Sequence, residues 1–152
     1  MKLLVSASLA AFLAGGSTLA QIEVPGDYAT LQAAIDAAAR FLLETGMADI
    51  QAQERRVFER LLHGLLDDDR VTVYGPHDLS DRAPTLAFNV AGFTAEAVAA
   101  ALASEQIAVW DGHYYALEAM DALGIDGAVR AGIALYVTDD DVDRLVGAVA
   151  RL

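Results

Sequence analysis

Few side chains in this sequence are equipped for chemistry. His63, His77 and His113 stand far apart and show none of the spacings that bring imidazoles onto one metal ion. The carboxylate runs Asp67-Asp68-Asp69 and Asp139-Asp140-Asp141 lack the alternating ligands and the glycine of a calcium loop, so no metal site is expected. Ser80 shares a loop with His77, but a serine nucleophile needs a placed base and orienter that spacing alone does not supply. His113 follows Asp111-Gly112 in a turn; an imidazole can carry protons, yet no partner base or nucleophile lies beside it in sequence. There is no cysteine, which excludes disulfides, thiolate metal centres, iron–sulfur clusters and a cysteine nucleophile. Nine of the ten basic residues are arginines, so any Schiff-base chemistry would fall to Lys2.

These groups must be positioned by one ordinary domain. The chain has 152 residues, and 55% of them are hydrophobic, enough for a real core. A net charge of −12 argues against nucleic acid or an anionic membrane surface as partner. Residues 1–20 read as a signal peptide: Lys2 is a short positive start, Leu3 to Ala14 an apolar run, and Thr18-Leu19-Ala20 a cleavage site before Gln21. That run is too short for a stable membrane span. Used as a signal, it implies a secreted or periplasmic protein.

Residues 21–48 are predicted to form an N-terminal turn and helix, and 49–152 the main domain. Ile22-Glu23-Val24 is a short strand candidate before the Pro25-Gly26-Asp27 turn. Thr30 or Asp27 caps a helix carrying Leu31 and Ile35, which Gly46 stops. Asp49 caps the next, with Ile50, Val57, Phe58, Leu61, Leu62 and Leu65 at helical spacing. Further helices are predicted from Thr94 to about Ser104, over Tyr115–Leu123, and after Thr138, with Val142, Leu145, Val146 and Val149 buried. Predicted strands cover Val71–Tyr74, Thr85–Val90, Ile107–Trp110 and Val129–Tyr136. Tyr114 and Tyr115 are read as half-buried anchors of the short helix. The order implies an α+β fold: a small, mostly antiparallel sheet of about four strands with helices packed on one face.

Two resemblances add to this. Residues 21–38 are similar to the opening of secreted pectin-lyase-type β-helix proteins, but no stacked repeat follows, so that activity is not carried over. From about residue 39 to 152 the chain resembles the C-terminal small domain of class V aminotransferases, which are fold type I pyridoxal-phosphate enzymes, and within them the cysteine desulfurase-like branch. The pieces that carry the likeness are V-T-V-Y-G-P at 71–76, R-A-P-T-L-A-F at 82–88, G-F-T-A-E-A-V-A-A-A-L at 92–102, I-A-V-W-D-G-H-Y-Y-A-L at 107–117, M-D-A-L-G-I at 120–125 and V-R-A-G-I-A-L-Y-V-T-D-D-D-V-D-R-L at 129–145.

The resemblance implies a small carboxylate substrate. It places Arg130 as the clamp on that carboxylate and His113 in the mobile segment beside the site. A guanidinium suits the clamp, because it grips a carboxylate through two parallel charge-assisted hydrogen bonds. At the position of the family's persulfide cysteine stands Tyr115. The family's cofactor lysine belongs to a large domain that these residues do not match. The chain is therefore expected to bind no cofactor and to have no catalytic residue by itself. Pyridoxal phosphate is implied only for the complete enzyme, with a large domain or a second copy as partner and a cytoplasmic setting. Two alternatives stand beside this: an exported, non-enzymatic module for a small carboxylate ligand, and a composite gene product whose first 38 residues have another origin.

Overall fold

The computed structural model describes residues 30–80 and 82–152. The signal-peptide reading and the Ile22–Val24 strand lie outside them, as does the first half of the β-helix-like stretch. The chain divides after Phe41 into two units, and the second, Leu42–Leu152, holds every described strand. Helix α1, Leu31–Thr45, buries none of its residues.

Helix α2 spans Met47–Leu66, and its predicted stripe of Ile50, Val57, Phe58, Leu61, Leu62 and Leu65 is buried. Its N-cap is Gly46, with no side-chain cap, so Asp49 sits inside the first turn rather than capping it. There a carboxylate complements the positive end of the helix dipole. Strands β1 (Val71–Tyr74) and β2 (Thr85–Val90) fall where the alternation predicts them. Helix α3 covers Ala95–Ser104, and the Thr94 hydroxyl accepts from the Ala97 N–H. Helix α5, Asp139–Ala150, opens with a reciprocal capping box between Thr138 and Asp141.

Three boundaries differ from expectation. Strand β3 is Trp110–Gly112, not Ile107–Trp110. The Ile107 N–H turns back to the Leu102 carbonyl to close α3, and Gln106 adopts φ 62°, so residues 107–109 are spent leaving the helix. Strand β4 is Ala128–Gly132, shorter than predicted. The Val137 N–H bonds the Ala134 carbonyl, and this turn lifts the chain off the sheet toward the Thr138 cap. Helix α4 starts at Leu117 instead of Tyr115, because both tyrosines before it are left-handed; Gly124 ends it in the αL conformation.

The fold is α+β, with a four-stranded antiparallel sheet in the order β1-β2-β4-β3. Leu86, Phe88, Val90, Val129 and Ala131 point from one face into a core closed by α2, α3 and α5. Alternation along the strands sends their neighbours to the opposite face. No helix among the described residues is long and apolar enough to cross a membrane.

Candidate functional site

The face opposite the core carries the candidate site. The register pairs Tyr74 with Ala87, Ala87 with Arg130, and Arg130 with Trp110, so these four residues form one line across all four strands. Directly paired side chains share a face at about 4.5–5.5 Å between Cβ atoms. Arg130, predicted near the start of its strand, is the middle residue of β4 and exposed. It lies between β2 and β3 in the sheet and forms no ion pair among the described residues, whereas Arg56, Arg60, Arg70 and Arg151 do. Trp110 beside it is 70% exposed.

Arg130 does have one close neighbour. Its guanidinium carbon lies 4.6 Å over the centroid of the Tyr114 ring, a cation–π contact. The Tyr114 hydroxyl sits 2.8 Å from the Trp110 carbonyl and 2.7 Å from the Ala128 carbonyl, so its single proton can be donated to either strand. Burial pushes the Tyr114 phenol above its ordinary pKa, and the Arg130 guanidinium opposes that rise.

The turn holding Tyr114 is unusual. Gly112 has φ 111°, and Tyr114 and Tyr115 follow with φ 53° and 60°. Left-handed backbone is costly for a side chain with a Cβ, so two in a row must be held by their surroundings. A Cβ at Gly127 would lie 3.0–3.2 Å from the Gly112 backbone, so the missing side chain at Gly127 lets the two segments pass this closely.

His113, expected beside the clamp, engages Tyr115. Its Nδ1 accepts the Tyr115 backbone N–H at 3.0 Å, and the two rings meet edge to face at 5.6 Å. With Nδ1 accepting, a neutral ring carries its proton on Nε2. Tyr115 is 94% exposed, not the half-buried anchor that its aromatic character suggests. Tyr114, read only as such an anchor, is the residue that meets Arg130. The available signal was a tyrosine in a turn between sheet elements, where a partly buried hydroxyl needs an acceptor. His63 and His77 lie apart from this turn, on α2 and in the loop after β1. No group of three metal-ligating side chains comes together among the described residues. Nor do the described residues include a lysine, so they do not fit the imine-forming role that pyridoxal phosphate requires.

The described residues thus form an α+β domain whose open sheet face presents the Arg130 guanidinium. The family model described as Aminotransferase class-V matches residues 29–145, and the chain belongs to this family. Among curated relatives, the "Probable cysteine desulfurase 2" of Mycobacterium leprae is 36% identical over 115 residues, covering 76% of this chain and 28% of that protein. A cysteine desulfurase of Yersinia pestis is 35% identical over 122 residues, covering 80% and 28%. The apo cysteine desulfurase of Thermococcus onnurineus superposes with a TM-score of 0.71 at 36% identity, over 78% of this chain and 30% of that one. The chain thus spans about 28% of the length of the curated relatives it matches.

Proposed function

We propose that residues 42–152 form the substrate-side domain of a pyridoxal-phosphate enzyme of the class V type, with Arg130 receiving the carboxylate of a small amino or keto acid. The observation that supports this reading is the exposed Arg130 guanidinium at the middle of the open sheet face, for which no ion pair is formed among the described residues, while Arg56, Arg60, Arg70 and Arg151 are held by carboxylates. Its N–H groups would take the carboxylate by two parallel hydrogen bonds. The exposed Trp110 would shield that pair from water, and the His113 Nε2–H would offer a further donor. Pyridoxal phosphate, held by a part outside residues 42–152, would act as electron sink for the substrate.

By themselves these residues bind substrate without turning it over. Arg130→Ala is expected to weaken binding of L-alanine to the purified chain by roughly 10- to 150-fold, the worth of a charged hydrogen-bonded contact of about 1.5–3 kcal/mol. Unchanged affinity in an NMR titration refutes the clamp. An absorbance band from added pyridoxal phosphate that borohydride fixes to the chain refutes the claim that it holds no cofactor alone.

The apolar pattern of residues 1–20 favours one other reading, an exported carboxylate-binding module. It predicts a mature protein beginning at Gln21, which N-terminal sequencing of the native protein decides.

A further inference from the structure

An arginine side chain has four rotatable bonds and much rotamer freedom to lose, so a lone guanidinium on an open sheet face does not by itself make a defined clamp. Something must hold it before ligand arrives, and the fold provides one candidate. The Tyr114 ring lies 4.6 Å from the guanidinium carbon, while the hydroxyl at the other end of that ring is within 2.8 Å of carbonyls on both β3 and β4. The ring is therefore pinned at its hydroxyl to the strands that bear Arg130 and its neighbour Trp110. The backbone adopts a left-handed φ of 53° at Tyr114 and 60° at Tyr115 to bring the ring there. A non-glycine pair keeps such a conformation only where surrounding contacts over-determine it.

We propose that Tyr114 is a positioning residue for Arg130: its pinned ring holds the guanidinium in one place, with its N–H edge free for a carboxylate. This rests on the reading of Arg130 as the clamp. A preorganised donor pays less entropy on binding, so Tyr114 raises affinity without touching the ligand.

The test uses the full chain and the Arg130 Nε–H resonance, with L-alanine as the probe. Without ligand, that group is expected to be ordered in the wild type. Its order parameter is expected to fall below about 0.6 in Tyr114→Leu, the flexible range. Tyr114→Phe, which keeps the ring and loses the pin, is expected to fall between the two. Affinity for L-alanine should drop several-fold in the same order. A purely structural role for Tyr114 would disturb backbone amides and leave the Arg130 side chain no more mobile than its neighbours.

An Arg130 Nε–H that is already mobile in the wild type overturns the proposal. So does one that is equally ordered in Tyr114→Leu. Should Tyr114→Leu fail to fold, Tyr114→Phe decides alone, and unchanged order there overturns the proposal. Failure of L-alanine to move the wild-type Arg130 resonance sinks the clamp reading instead, and the ligand-free order parameters still decide the role of Tyr114.

Discussion

A methyl group at Gly64 would lie 2.8 Å from Cγ2 of Val146, closer than Cβ atoms normally pack, and 3.2 Å from Cγ1. Gly64 is thus where α2 lets α5 approach. Alanine is the better helix former by about 0.5–1 kcal/mol, but overpacking costs about 1–3 kcal/mol and Val146 is stiff at its branch. Gly64→Ala is therefore expected to destabilise the chain by about 1 kcal/mol, read as a lower urea midpoint; a raised midpoint contradicts the close packing. Single residues were also where sequence reading met its limit. Arg130 is legible as a candidate because its residue type and its place in a matching segment are visible in one dimension. The contact of Tyr114 with Arg130 is not, since it depends on a left-handed backbone and a ring placement that no residue type announces.

Elements were more legible than sites, for a physical reason. The α2 stripe repeats at the helical period, and Thr94 and Thr138 are hydroxyl caps, so local chemistry dictates these elements. β3 is different: it is a strand only where β4 lies alongside, and the expected strand shares only Trp110 with it because a ladder partner is a tertiary fact. The α5 cap offers a clean test. The Thr138 Oγ1 accepts the Asp141 N–H at 3.2 Å, and the Asp141 carboxylate accepts both the Thr138 N–H at 3.0 Å and its hydroxyl at 2.6 Å. Thr138→Ala is expected to cost about 1 kcal/mol in chemical unfolding, and Thr138→Ser to restore most of it. Equal midpoints for all three proteins would show that the box contributes nothing.

For the molecule as a whole, charge sets the response to acid. Hydrogen bonds from Thr138 hold the Asp141 carboxyl below the ordinary carboxylate range, and Arg60 and Arg70 do the same for Asp143 and Asp68. A carboxyl with a depressed folded-state pKa stabilises the fold above its unfolded value of about 3.9, and loses that contribution as pH falls through the folded value. Below that range the ten lysine and arginine residues and three histidines also stand unopposed. The urea midpoint is therefore expected to hold nearly level from pH 7 to about pH 5 and to fall steeply below about pH 4. A level profile down to pH 3 would mean these pairs persist unfolded. The strand order carries a different consequence, in time rather than energy. β1 and β2 are neighbours in sequence and can join as soon as Val90 has left the ribosome. β2 and β3 are each waiting for the same later strand, since β4 lies between them in the sheet. During synthesis the arginine face does not exist until Gly132 has emerged, and the nascent domain must carry a half-built sheet with an open inner edge until then.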